Sequence, residues 1–177
     1  MAWLRGVLDR LLLLGGVIGG GLVPGFIAQY RQRLGGRLDQ ARLDLAAWQQ
    51  IADQFHHGSL ERLIQHHLAS PDATFRAEGA VVRGLLASVQ QLERALAALH
   101  GSLWQQATYL ALHGDARLAA ATWHDWVPTF ALDRDGLLFA GLCGALLWAL
   151  FHGLWHGAHL LRRRRPRARR ATAVASP

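Results

Sequence analysis

Two long apolar stretches flank a central region in which apolar residues recur at helical spacing. The first stretch, Leu11–Ala28, has 18 residues without a charge, and the second, Gly136–Leu161, has 26. A helix needs roughly 20 apolar residues to cross a hydrocarbon core of about 30 Å. The pattern therefore predicts two transmembrane helices, at residues 11–28 and 136–161.

The central region contains two series of apolar residues that advance by alternating steps of three and four. A mean spacing of 3.5 residues is typical of helices that pack as coiled coils. Between the series, Gly58-Ser59 and Ser70-Pro71 are helix-boundary signals. The predicted fold class is therefore all-α, with two transmembrane helices joined by an extracytoplasmic antiparallel helical hairpin or coiled-coil-like bundle. The first series is Leu34, Leu38, Ala41, Leu45, Trp48, Ala52 and Phe55, and the second is Val82, Leu85, Val89, Leu92, Leu96, Leu99 and Leu103.

Glycines are concentrated in the first apolar stretch, where several lie four residues apart. Small residues at this spacing allow another helix to approach closely in lipid. We expect a small-residue face of the first span to pack on the second span or on a second copy of the chain. The residues predicted for this packing are Gly15, Gly16, Gly19 and Gly20 in the first span and Ala140 and Gly144 in the second. Gly21 and Gly25 have the same spacing, and Pro24 is expected to kink or end the helix.

Two other interpretations of the glycine-rich stretch were considered. A phosphate-binding loop requires a Gly-Lys pair or a complete G-x-G-x-x-G, and the chain has no lysine and places Pro24 at the third glycine position. A cleaved signal peptide is the competing interpretation, although the stretch lacks a clear A-x-A site. The membrane helix is favoured.

The formal net charge of +7 comes from the C-terminal end, because residues 1–161 contain as many arginines as acidic residues. Positive charge favours the cytoplasmic side, and a long loop contributes little to this rule. The predicted division is a cytoplasmic N-terminus (1–10), a transmembrane helix (11–28), an extracytoplasmic helical domain (29–135), a second transmembrane helix (136–161) and a disordered basic cytoplasmic tail (162–177). The tail is expected to bind anionic lipid. Its arginines are Arg162, Arg163, Arg164, Arg165, Arg167, Arg169 and Arg170. Since no aromatic residues are interleaved with them, a nucleic-acid partner is not expected.

Histidine is the only unusual titratable residue type, with ten copies. His56, His57, His66 and His67 bracket the expected tip of the hairpin, and they are candidate metal ligands or pH-sensing groups. The favoured interpretation is that they are exposed polar residues at a turn, because adjacent histidines on a helix diverge. The single cysteine, Cys143, excludes an intrachain disulfide. No catalytic constellation or cofactor motif is present, so an enzyme is not expected and no cofactor is predicted.

Four segments occur in a characteristic combination, namely "LVPGFIAQYRQRLGGRLDQARLDL", "FRAEG", "ALHGSLW" and "ATWHDWVPT". In this combination the chain resembles the DUF2937 family of uncharacterised proteobacterial membrane proteins, over nearly its whole length up to Leu161. The resemblance implies a bacterial inner-membrane location and implies nothing about a reaction or a ligand.

The function expected from the sequence is that of a non-enzymatic inner-membrane protein with a periplasmic helical interaction or assembly module. Its expected partners are membrane lipid and either a second copy of the chain or another membrane or periplasmic protein. The alternative is a membrane sensor that detects a metal ion or pH through the tip histidines and acts through a partner protein.

Overall fold

A computed structural model of the protein describes residues 2–164, with the side chains of residue 3 and residues 6–157. Within this part of the chain every regular element is an α-helix, as the sequence predicts. The helices are α1 (Ala2–Phe55), α2 (Leu60–Leu68), α3 (Ala73–Ala98), α4 (Leu103–His113), α5 (Ala116–His124) and α6 (Arg134–Arg164). They divide between two compact units. Of the described residues, the end unit contains 2–22 and 130–164, and the central unit is Val23–Thr129.

Two helices, α1 and α6, are long and apolar enough to cross a membrane. Their most apolar windows are only 22% and 17% buried within the protein. The core helix of a soluble protein of this composition would be mostly buried, because burial of apolar surface is what stabilises such a core. Neither window has the burial of such a core helix.

Pro24 lies inside α1, which continues to Phe55. Of the two effects expected for this proline, an end to the helix is therefore wrong. A proline inside a helix has no N–H for the carbonyl four residues before it, here that of Gly20. The carbonyl of the next residue, Gly21, accepts a hydrogen bond from the Ala131 N–H at 3.2 Å. A donor from outside the helix thus stabilises the turn that contains the proline.

The core of the central unit consists of two clusters of buried side chains, and both draw on the two apolar series of the sequence. One cluster joins Leu38 and Leu45 of α1 to Ile64 of α2 and to Val82 and Val89 of α3. The other joins Tyr30 and Leu34 of α1 to Leu99, which follows α3, and to Leu118 of α5.

The first series ends one step earlier than its spacing predicts, because Phe55 is 72% exposed. Ala52 is the last buried residue of the series, and its carbonyl accepts the N–H groups of both His56 and Gly58. These bonds close the helix where the chain reverses, at His57 (φ 54°) and Gly58 (φ 78°). Only a residue without a Cβ adopts such a φ freely, so Gly58 suits this turn.

The helix starts of the central unit are capped by side chains. Asp72 accepts a hydrogen bond from the Thr74 N–H at the start of α3, and Asp115 accepts one from the Leu118 N–H at the start of α5. Ser102 and Gln105 form a capping box at the start of α4. Such caps satisfy N–H groups that a helix leaves without partners. They set the boundaries between the short helices that follow α3.

Candidate functional site

In the end unit, α1 and α6 approach each other at small residues. A Cβ added to Gly16 would lie 2.8 Å from the Cα of Gly144, and one added to Gly20 would lie 3.2 Å from the Cα of Ala140. Real Cβ atoms do not come as close as 2.8 Å, and the Cβ added to Gly20 would also lie 2.6 Å from the Cβ of Cys143, so the approach depends on the absence of side chains at both glycines. As the residue number rises along α1 it falls along α6, so the two helices are antiparallel here. The structure thus brings together four of the six residues that the sequence predicts for helix packing.

Gly15 and Gly19, the other two, have no neighbour within 4 Å of an added Cβ in the described part of the chain. They lie about 100° around the helix from Gly16 and Gly20. The predicted small-residue face is therefore two faces, of which one contacts α6 and the other is open.

Gly21 and Gly25 contact a segment without regular secondary structure, within residues 126–132, instead of a helix. An added Cβ would collide with the ring of Phe130 at Gly21 and with Thr129 at Gly25. One turn further along α1, Gln29 donates a hydrogen bond to the Val127 carbonyl at 3.0 Å. The sequence interpretation missed this contact because four-residue spacing suggests a helical partner. The signal that could have found it is Pro128, which disfavours a helix around it.

An ionisable pair lies between the same two helices. His152 Nδ1 is 3.4 Å from Asp9 Oδ1 and 3.2 Å from the Trp148 carbonyl, and its ring lies 4.3 Å from the ring of Trp148. Both side chains are about 70% buried. Asp9 was considered in the sequence only as part of the N-terminal flank. A carboxylate and an imidazole that face each other reduce the cost of removing either group from water.

The seven arginines predicted to bind lipid cannot be placed by the structure. The backbone of α6 ends at Arg164, and the side chains of Arg162, Arg163 and Arg164 lie outside the described part. Arg165, Arg167, Arg169 and Arg170 lie outside the described residues altogether.

Three of the four tip histidines form a row of neighbouring rings. The ring centroids of His56 and His66 are 5.2 Å apart, and those of His66 and His67 are 6.2 Å apart. Burial and the neighbouring histidines lower the pKa of His56 below its ordinary value. His57 is exposed and has a positive φ, but no ring contact places it in the row. The four are thus near one another at the turn between α1 and α2.

His67 is the buried member of the row. Its ring packs against Trp48 and Phe75, with centroid distances of 6.0 and 5.5 Å. Its Nδ1 has no hydrogen-bond partner among the described residues, and the nearest carboxylate oxygen, on Glu78, is 3.6 Å away. Residues 2–164 contain no group of three or more histidine, cysteine or acidic side chains arranged to hold a metal ion. His67 therefore has one carboxylate near its ring and aromatic rings around it, but no completed polar contact at Nδ1.

The aromatic residues before the second span also pack together. Trp123 and Trp126 lie 5.1 Å apart, and both contact the ring of Phe26, at 6.0 and 5.8 Å. Trp123 nevertheless remains 66% exposed. The three rings therefore pack on one another while the indole of Trp123 stays exposed. Exposed tryptophans beside an apolar helix are typical of membrane interfaces.

These features define a class of protein, all-helical in its described part and with two helices able to cross a membrane. The chain belongs to the family described as "Protein of unknown function (DUF2937)", whose model matches residues 4–164. The resemblance seen in the sequence is thereby confirmed. No curated protein and no solved structure matches the chain.

Proposed function

We propose that the protein is a non-enzymatic interaction or assembly module anchored in the bacterial inner membrane. In this proposal α6 and the beginning of α1 cross the membrane, both termini are cytoplasmic, and residues 29–135 are periplasmic. The exposed apolar windows of the two helices support the anchor. The arginines that follow α6 support the orientation, because positive charge is retained on the cytoplasmic side.

The periplasmic module is proposed to be an antiparallel helical hairpin formed by the second part of α1 and by α3. Two polar contacts support this arrangement. Arg42 forms an ion pair with Glu93 at 2.7 Å, and Arg31 contacts His100 at 3.4 Å. Arg31 precedes Arg42 in α1, and its partner His100 follows Glu93 in the returning chain, which is the order expected of antiparallel segments.

The observation that carries the interaction role is an apolar stripe on α1 that the described part of the chain leaves exposed. It consists of Leu43, Ala47, Ile51 and Phe55. Residues four apart lie on neighbouring turns of one helix surface. Leu43 and Ala47 lie on the opposite side of α1 from the buried Leu38 and Leu45, and Ile51 and Phe55 continue the stripe to the end of the helix. Contiguous exposed apolar surface of this kind marks protein–protein contacts in soluble domains.

A second copy of the chain is the proposed partner. Its support is the open face at Gly15 and Gly19, which leaves the first span free to meet another helix while Gly16 and Gly20 hold α6. Gly19→Ile and Ile51→Glu should each reduce co-purification of two differently tagged copies from detergent. The matched control is Ala46→Glu, on the same exposed helix but outside the stripe. If both variants co-purify as well as the control, the partner is another protein or the module acts alone.

The topology can be tested with a single added thiol. Ala77 is exposed on α3, and the native Cys143 lies within the second predicted span. In intact spheroplasts, Ala77→Cys should react with a membrane-impermeant maleimide, whereas the parent protein should not. Labelling of Ala77→Cys only after lysis would place the central unit in the cytoplasm and overturn the orientation.

A second candidate function is a sensor of pH or of a metal ion that acts through a partner protein. It is favoured by the row of histidines at the tip and by the buried His67 beside Glu78. Titration of the full-length protein with Zn²⁺, Cu²⁺ and Ni²⁺ separates the two stimuli, with melting temperature as the readout. A metal sensor requires stabilisation that His66→Gln removes, whereas unchanged melting with all three ions leaves only pH.

A further inference from the structure

A cleft in the central unit lies where α1, α3, α4 and the start of α5 meet, and its volume is about 470 Å³. Small-molecule sites in proteins range from roughly 300 to 1,000 Å³. Part of the lining is apolar and includes the buried Leu34 and Leu118. The remaining lining is rich in hydrogen-bonding groups, among them Tyr30, Arg37, Arg94, Tyr109, His113 and Asp115.

Two guanidinium groups reach this cleft with hydrogen-bonding capacity to spare. Nη1 of Arg37 is 3.9 Å from Oδ2 of Asp115, which is beyond hydrogen-bond distance. Nε of Arg94 donates to the Gln90 carbonyl at 3.1 Å, and its terminal nitrogens have no acceptor in the described part of the chain. A guanidinium binds a carboxylate or phosphate through two parallel hydrogen bonds. The unused donors of both arginines therefore favour an anion in the cleft.

The one carboxylate in the lining, Asp115, lies at ion-pair distance from Arg37 and leaves Arg94 without a carboxylate partner in the described part of the chain. Asp115 caps α5 by accepting the Leu118 N–H at 2.9 Å, and this hydrogen bond lowers the pKa of Asp115 below its ordinary value. The carboxylate is thus ionised, with one oxygen committed to the cap. Two positive charges against one negative charge leave the cleft net positive.

Aromatic side chains supply a flat surface and a further donor. The rings of Tyr109 and His113 are stacked, with centroids 5.3 Å apart and an interplanar angle of 21°. The hydroxyl oxygen of Tyr30 accepts the Asp115 N–H at 3.0 Å, so its own proton is directed elsewhere. Burial raises the pKa of Tyr30, so the phenol keeps that proton at neutral pH.

We propose that this cleft binds a small organic anion with a flat apolar body, such as an aryl phosphate or an aromatic carboxylate. Arg37 and Arg94 bind the charged group, and the Tyr109–His113 pair contacts the ring. This site goes beyond the assembly role above, because it lies on a different surface from the Leu43–Phe55 stripe and does not require a second protein.

Phenyl phosphate is the probe for this site, with binding measured by saturation-transfer NMR on the full-length protein in nanodiscs and empty nanodiscs as the background. We expect saturable binding that Arg94→Gln weakens by about tenfold or more, since hydrogen bonds to charged groups are among the stronger ones. Arg83→Gln is the matched control, because Arg83 lies on the same side of α3, about three turns away and outside the cleft. Phenol and inorganic phosphate should each bind more weakly than phenyl phosphate.

A second variant keeps the proposal testable if Arg94→Gln does not fold. Ala87→Trp, at an exposed position in the cleft lining, leaves all charges in place and fills the space, so it should abolish binding. The proposal is overturned if no saturable signal exceeds that of empty nanodiscs, or if Arg83→Gln weakens binding as much as Arg94→Gln. Equal binding of benzylamine and phenyl phosphate would overturn the anionic character of the site.

Discussion

Replacing either of two adjacent glycines in α1 by alanine should have opposite effects on stability. A Cβ added to Gly16 would lie 2.8 Å from the Cα of Gly144 and 3.3 Å from the Cβ of Leu147, whereas one added to Gly15 has no neighbour within 4 Å. Carbon atoms pack best at about 3.5–4.0 Å. In Gly16→Ala the helices must therefore separate by roughly 1 Å, because a backbone atom cannot rotate away as a side chain can.

The magnitude follows from the difference between the two variants. Both gain about 1 kcal/mol of helix propensity, since alanine is the better helix former. Only Gly16→Ala suffers overpacking, which typically costs about 1–3 kcal/mol. The propensity terms cancel in the comparison, so Gly16→Ala should be less stable than Gly15→Ala by about 1–3 kcal/mol. For a chain of this size that is a difference in melting temperature of roughly 2–12 °C.

The assay is thermal unfolding of the full-length protein in detergent micelles, with the fraction that remains monodisperse as the readout. The parent protein should melt between the two variants or, if overpacking costs only about as much as the propensity gain, close to Gly16→Ala. If Gly16→Ala melts at the same temperature as Gly15→Ala or above it, the helices do not approach at Gly144, and the account of the end unit fails.

Three further predictions concern the central unit. Ile64→Ala should lower its free energy of unfolding by about 2–5 kcal/mol, because Ile64 is fully buried in the core cluster. Val81→Ala, at an exposed position, should lower it far less, and chemical denaturation measures both changes. Asp115→Ala should cost about 0.5–2 kcal/mol through the lost cap of α5, and Asp115→Asn should recover most of it in the same assay. Because the folded protein lowers the pKa of His56, the contribution of neutral His56 to stability is present above pH 6.5 and is lost as the pH falls through that lowered pKa. His56→Gln should therefore reduce the fall in melting temperature between pH 7.5 and pH 5.

The helical architecture was predictable because hydrophobic spacing reports directly on which side of a helix is buried. The spacing alone predicts Leu38, Leu45, Val82 and Val89 as packing residues, and all four are buried in one cluster. Phe55 shows the limit of this reasoning. The spacing continues to that residue, but the chain has already reversed, and a periodic pattern does not show where the covering helix ends.

The contacts of the glycines could be predicted only in part. Four-residue spacing indicates close approach, but Gly15 with Gly19 and Gly16 with Gly20 fit it equally well, and the choice depends on how α1 is rotated against α6. The cleft was not predictable at all. Its lining combines residues as far apart in sequence as Arg37, Arg94 and Asp115, which only the breaks after α3 bring together.

The two glycine faces of α1 make folding and association separable. Gly16 and Gly20 contact α6 of the same chain, so a larger side chain there should affect stability first. Gly15 and Gly19 contact nothing in the described chain, so a larger side chain there should affect only what a second molecule contacts. A variant such as Gly19→Ile that lost both stability and association would mean that the open face also supports the fold, and the proposed division of roles between adjacent glycines would then be wrong.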